Sequence, residues 1–294
     1  MKCKWIKKLT AGIIFLAAVG SLSGCQKAAT SENLFRDIEV NMTSVESAEE
    51  NQIVKLQMGD GDSAISQESN LDIEMTRNPA SVHRKGQQKT NMAGTKETQE
   101  MESYQVEEDG KTVIYSGTDE AWEKNAVEEK ETSSQQTVLF DGLQNLSGAF
   151  SVSQDLATVN KEECFELTGT ISGTQFQETF ADTLKALLGE DSSDLSGWNL
   201  QASEDEENNE ELQQKLNNVK VDCVIDIYRN NILPAKITFD LTDYLKAAGE
   251  ENAQVTSYTL EVTFVSYNDT KKIKVPKAVK ESAKDNGEDE AENS

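Results

Sequence analysis

The feature that most constrains this chain is a strict alternation near its C-terminal end. Val219, Val221, Cys223, Ile225 and Ile227 alternate with polar residues. Ile237, Phe239 and Leu241 repeat the pattern behind Pro234, and Tyr258, Leu260, Val262 and Phe264 repeat it again. Successive strand side chains point to opposite faces, so each run has one apolar and one polar face. Asn230-Asn231 between the first two runs suits a tight hairpin turn, because asparagine tolerates positive φ. Three antiparallel strands with one apolar face need a cover. Phe176, Phe180, Leu184, Leu187 and Leu188 follow the i, i+4 rhythm of a helix ending near Gly189, and this 175–189 helix is the obvious candidate.

The same reading extends upstream. Val54, Leu56 and Met58 alternate before a Gly59-Asp60-Gly61-Asp62 turn, and Leu71, Ile73 and Met75 alternate before Asn78-Pro79. Leu34 to Val45 reads as a helix end running into a strand through Ile38, Val40 and Met42. Residues 80–103 are polar and read as two exposed edge-like strands, with disorder as the alternative. A meander follows: Tyr104 and Val106, an Asp109-Gly110 turn, Val113 and Tyr115, then Trp122 and Lys124. Thr137 to Leu146 reads as a short amphipathic helix, Phe165 to Ile171 as a strand, and Glu210 to Val219 as a further short helix. The tail beyond Pro276 is rich in Lys, Glu, Asp and Asn and reads as disordered.

The N-terminus carries a different signal. Lys2, Lys4, Lys7 and Lys8 precede an apolar run from Leu9 to Val19, which ends in Leu22-Ser23-Gly24-Cys25. A basic stretch, a short apolar stretch and small residues make an export signal. The run is shorter than the roughly 20 apolar residues of a membrane span. Leu22-Ser23-Gly24-Cys25 resembles the bacterial lipobox, which implies acylation of the Cys25 thiol and cleavage before it. The chain would then hang from a membrane by lipid, for which a pair of acyl chains suffices. The alternative is an ordinary secretory peptide or an uncleaved signal anchor. The expected organisation is a signal peptide at 1–24, a lipidated tether at 25–33, one domain at 34–276 and a disordered acidic tail at 277–294.

Charge narrows the partners. Without the four lysines of residues 1–24 the chain has 24 Lys and Arg against 53 Asp and Glu, a formal −29. Such a surface repels nucleic acid and anionic headgroups, so the lipid, not electrostatics, must hold the protein to a membrane. Cys164 and Cys223 remain once Cys3 and Cys25 are accounted for. A bridge would close a loop of about 60 residues and contribute roughly 4 kcal/mol. Against it, Cys164 shares its strand face with Glu166 and Thr168, whereas Cys223 shares its face with Val221 and Ile225. Both readings, a disulfide and two free thiols, stay open.

Chemistry-bearing motifs are sparse. His83 is the sole histidine, in a polar Val82-His83-Arg84-Lys85 stretch, and reads as an exposed residue rather than a triad member. Asp60-Gly61-Asp62 begins like a calcium loop, but its sixth and twelfth positions are Ile65 and Leu71, where Gly and Glu are needed. The acidic run Glu204-Asp205-Glu206-Glu207 reads as a solvated loop. No catalytic residue, metal site or cofactor is expected.

Taken together, the Cys25 lipobox, Tyr104…Asp109-Gly110-Lys111…Tyr115…Trp122-Glu123-Lys124, Ile227-Tyr228…Leu233-Pro234-Ala235-Lys236-Ile237, Phe264-Val265-Ser266-Tyr267-Asn268 and Ile273-Lys274-Val275-Pro276 resemble a group of uncharacterised lipoproteins of Gram-positive bacteria with a LolA/LppX-like fold. The resemblance implies an α+β fold, a curved antiparallel half-barrel sheet over a few helices. It also implies a non-enzymatic role, since better-known members of that fold hold lipids or acyl chains between sheet and helices. Phe176, Phe180, Leu184, Ile225, Phe239 and Leu260 would then line an apolar ligand cavity. The alternative is an interaction or sensory module with a solid core, meeting an unknown protein partner through its acidic outer surface.

Overall fold

The structure is a computed structural model that describes residues 29–60, 64–118, 121–127, 142–188, 212–248 and 254–285, and side chains other than those of 127, 181–188 and 285. Cys25 and the acidic run at 204–207 lie outside these residues.

The strands are β1 (Ser47–Met58), β2 (Ile65–Arg77), β3 (Ala80–Met92), β4 (Thr95–Glu108), β5 (Lys111–Thr118), β6 (Ala121–Val127), β7 (Phe150–Val159), β8 (Glu162–Ser172), β9 (Lys220–Tyr228), β10 (Pro234–Asp240), β11 (Val255–Tyr267) and the two-residue β12 (Lys284–Asp285). The helices are α1 (Ser31–Met42), α2 (Gly173–Leu188), α3 (Thr242–Ala248) and α4 (Lys277–Ser282), with a 3-10 turn at Leu143–Ala149. All strands join one open sheet in the order β12-β6-β5-β4-β3-β2-β1-β11-β10-β9-β8-β7. Every pairing except the short β12·β6 contact is antiparallel. The α+β class, a large unclosed antiparallel sheet with few helices, is the one expected from the sequence.

Two meanders, β1–β6 and β7–β11, meet at a seam where β1 pairs with β11 along its whole length, from Ala48↔Tyr267 to Met58↔Val255. Local chemistry sets the turns. Asp109 and Gly110 both have positive φ, as a two-residue primed turn requires, and Glu108 faces Lys111 across it. Asn160 and Lys161 do the same between β7 and β8. The β9–β10 connection departs from the expected two-residue turn. It runs over residues 229–233, and the positive φ falls on Ile232, whose N–H donates to the Tyr228 carbonyl at 3.0 Å.

Cross-strand register fixes the two faces. The inner face carries Val54 and Leu56 on β1, Cys223, Ile225 and Ile227 on β9, Ile237 and Phe239 on β10, and Tyr258 through Phe264 on β11. With Leu34, Phe35 and Ile38 of α1, Leu143 and Leu146 of the 3-10 turn, Phe176 and Phe180 of α2, and Tyr244 and Leu245 of α3, they form the main core. On the outer face, Tyr104, Val106, Val113, Tyr115 and Trp122 form a second cluster, covered by Ile273, Val275 and Val279 from the C-terminal segment.

Four expectations change here. Residues 31–42 are wholly helical. Ile38 and Met42 are buried one turn apart, while Val40 between them is 62% exposed. Residues 80–103 do form two strands, but β3 and β4 are interior strands, not edges. The short helix before β7 is a 3-10 turn at 143–149; residues 137–141 lie outside the described residues. The tail after Pro276 is ordered through residue 285 as α4 and β12, because Val279 is buried on the second cluster. Residues 212–216 are helical, within the stretch read as a short helix.

Candidate functional site

Helix α2 starts on a reciprocal cap. The Gln175 N–H donates to Ser172 Oγ at 3.1 Å, and the Ser172 N–H donates to Gln175 Oε1 at 3.0 Å. Gly173 allows the close approach that follows, since a β-carbon there would sit 2.8 Å from the Leu216 carbonyl oxygen. Phe176 and Phe180, one turn apart, share a face. Their ring centroids lie 5.5 Å apart and 5.3 and 4.9 Å from that of Phe239; Tyr244 stands 5.0 Å from Phe176. Ile225 and Leu260 are fully buried in the same cluster. Five of the six residues expected to line a cavity are therefore brought together, while the Leu184 side chain lies outside the description. Phe239 meets both phenylalanines, and Tyr244 meets Phe176, edge to face at contact distances, while Phe176 and Phe180 are tilted by 31° to each other. At this level the gap between α2 and the sheet is therefore occupied by protein.

The sequence did not single out a polar step on the same inner face. Glu50 lies between Phe264 on β11 and Ile73 on β2, and Gln52 lies between Val262 and Leu71. Arg84 of β3 is the next residue along Glu50's row, opposite Ile73. Glu50 is 2% exposed and Gln52 1%. Neither carboxyl oxygen of Glu50 has a hydrogen-bond partner, and neither does Gln52 Oε1. Burial raises the Glu50 carboxyl to about 7, and the Arg84 charge offsets only part of that rise. The Arg84 guanidinium is pulled below its ordinary value by burial, with Glu50 acting in the other direction. One signal could have found this step: the alternation through Val54, Leu56 and Met58, carried backwards, passes through Gln52 and Glu50.

Past this step the inner face stays partly apolar. Leu71 packs on the buried trio Ile73, Met75 and Val82. Further along, Ile65 is half-buried, Met101 is 37% exposed and Met92 56%. Register puts Met92 opposite Ile65 and Met101 opposite Gly86, itself opposite Leu71.

On the outer face, His83 is not the exposed residue expected. Its side chain is 20% exposed and stacks on Tyr104 with centroids 4.3 Å apart. Nε2 lies 2.9 Å from Glu102 Oε1, and Nδ1 lies 3.5 Å from Glu74 Oε2. Burial alone would raise the Glu102 carboxyl, but hydrogen bonds from His83, Tyr104 and Lys85 bring it below the ordinary range. Among these partners there is no serine, threonine or cysteine side chain. Cys164 and Cys223 are both free. Cys223 lies opposite Gly169, five residues along β8 from Cys164, and the two thiols sit on opposite faces. Burial pushes the Cys164 thiol up to about 11 and the Cys223 thiol higher still, so both stay protonated at neutral pH. Among the described residues no group of three or more His, Cys, Asp or Glu side chains is placed to hold a metal ion, and no helix is long and apolar enough to cross a membrane.

An inward-facing sheet carrying a helix cover and a C-terminal strap defines the class, and the family follows from the sequence. A family model described as a family of unknown function (DUF6612) matches residues 30–284, and the chain belongs to that family. No curated protein matches the chain. Among solved structures, it is similar to LprF from Mycobacterium bovis at 11% identity and a TM-score of 0.45, covering 84% of this chain and 96% of that one. It is also similar to the lipoprotein LppX of Mycobacterium tuberculosis, at 13% identity and a TM-score of 0.43 over 83% and 98% of the two chains. A LolA superfamily protein from Nitrosomonas europaea follows at 9% identity and a TM-score of 0.23, over 86% and 97%.

Proposed function

We propose that this protein is a non-enzymatic lipoprotein, tethered through Cys25 to the extracytoplasmic face of a cell membrane, and that it holds an apolar ligand against the inner face of its sheet. The observation that carries the reading is the continuation of apolar side chains past the packed core. Leu71 and Met101 flank Gly86 on the helix side of β2–β4, in the row of Gln52, and remain half-buried or exposed. Ile65 and Met92 face each other three rows further on, past Ser69, Gln88 and Gln99 and then Gln67, Thr90 and Glu97. Apolar side chains set among polar ones in this way fit the wall of a binding groove. The Leu22-Ser23-Gly24-Cys25 motif supports the anchor. The acidic body supports a role facing water, with lipid chains alone engaging the bilayer.

The test is titration of the purified protein with a fluorescent fatty acid. Saturable binding is expected, weakened about tenfold or more by Leu71→Lys, which places a charge in the groove. Absence of saturable binding overturns the ligand reading. Mass spectrometry of the mature N-terminus tests the anchor, and an unmodified thiol at Cys25 overturns it.

A second reading has its own support. The ring packing of Phe176, Phe180, Phe239 and Tyr244 fills the space under α2. A solid core would favour an interaction or sensory module that meets a protein partner through its acidic outer surface. Recovery of a defined partner by cross-linking, together with no lipid uptake, would select it.

A further inference from the structure

We propose that the buried pair Glu50 and Gln52 forms the polar end of the ligand site and recognises an apolar molecule with a neutral hydroxyl head, in the manner of a long-chain alcohol or a partial glyceride. The inference rests on the proposed ligand role and adds the head-group chemistry.

Three acceptor atoms, Glu50 Oε1 and Oε2 and Gln52 Oε1, are buried with no hydrogen-bond partner. Buried polar atoms are nearly always satisfied, and an unsatisfied set on adjacent inward positions of one strand calls for a donor from elsewhere. The setting is apolar on both sides: Phe264 and Val262 across the seam, Ile73 and Leu71 on β2. A ligand tail running across the sheet over Leu71, Gly86 and Met101, the row of Gln52, would place its head at this step. Gln52 Oε1 accepts at any pH, and ionised Glu50 only accepts.

Charge selects among donor heads. An ammonium head would meet the field of buried Arg84, which acts on this same spot. A carboxylate head would set a second negative charge beside Glu50 and bring no donor once ionised. A hydroxyl head meets neither penalty, donates one bond and accepts another. Water alone could satisfy the acceptors, and in that case head-group discrimination disappears.

The experiment displaces the bound fluorescent fatty acid from the purified protein with hexadecanol, hexadecylamine, palmitate and hexadecane at pH 8. Hexadecanol is expected to compete about tenfold better than hexadecane or palmitate, the worth of roughly one hydrogen bond in a buried site. Gln52→Leu is expected to abolish that preference while leaving hexadecane unchanged. It removes no charge, and a thermal melt at least as high as that of the parent shows that it folds. Glu50→Leu should act likewise. If all four compounds compete equally, or if Gln52→Leu keeps the preference, the head-group inference is overturned and the apolar site stands. If hexadecylamine competes best, the site reads cations and the inference is equally overturned. If the fatty acid itself does not bind, the ligand reading fails, and this inference with it.

Discussion

The two halves of the sheet are built from the same hairpins yet covered on opposite faces. Strands β7–β11 carry their apolar residues inward, beneath the 3-10 turn, α1, α2 and α3. Strands β4–β6 carry theirs outward, beneath Ile273, Val275 and α4. Between them, the buried apolar residues that β2 and β3 turn inward are Ile73, Met75 and Val82, with Leu71 half-buried beside them. The difference shows that a sheet need not have one core side. A continuous ladder of backbone hydrogen bonds lets the buried face change over as long as each local cluster finds its own cover. It also shows where strain on stability is tolerated: the polar step of Glu50 and Gln52 sits where the main core gives out.

The sharpest way to break the comparison is to empty the thick half. Phe239→Ala removes a ring contacted by both Phe176 and Phe180 and should cost about 3–5 kcal/mol in urea denaturation. A loss under about 1 kcal/mol would mean that the helix layer is not packed as described. The polar step comes next. The folded state holds the Glu50 proton more tightly than the unfolded chain, at about 7 against 4.5. Its contribution to stability is therefore fully present below pH 4.5 and is lost as pH rises through 7, on the order of 3 kcal/mol in all. Asp226, raised from 3.8 to about 6 chiefly by burial, adds the same sign over a lower window. Glu50→Gln should flatten the slope between pH 5 and 8 in thermal melts, and an unchanged slope would refute the assignment.

The thin half is probed by stopping the chain before Lys277. This strips Val279 from Tyr104, Tyr115 and Trp122, should cost about 2 kcal/mol, and should shift Trp122 emission to the red. Unchanged emission would show that α4 does not cover the cluster. The smallest effect is at α1: Thr30→Ala removes the Oγ1 acceptor of the Asn33 N–H, at 3.3 Å, and should cost about 1 kcal/mol in the same denaturation.

What was legible follows the same division. Strands β9–β11 and helix α2 were readable because each has one continuous apolar face, at Cys223-Ile225-Ile227 and at Phe176-Phe180. The Asp109-Gly110 turn was readable because its backbone demands those residues. Helix α1 was misread because Val40 is a surface residue that imitates strand alternation between Ile38 and Met42. Strand β4 was hard to see because residues 95–101 are exposed on both faces, so pairing rather than apolar periodicity places them. Helix α3 is too short for a period, and α4 hangs on the single buried Val279 among charged neighbours. Of the candidate site, the aromatic stripe was visible and the Glu50–Gln52 step was not, since polar residues at inward positions break the very pattern that marks a strand.

The seam has a consequence for how the molecule comes into being. Ala48 pairs with Tyr267, 219 positions later, so the longest-range ladder cannot close until almost the whole polypeptide has emerged. A chain delivered N-terminus first must carry β1 as an open edge throughout that interval. Such late, distant pairing slows folding and leaves an unprotected strand to be guarded. Assembly of this protein should therefore be limited by the arrival of its last long strand, and β11 is the place where a folding helper or a lethal truncation would act.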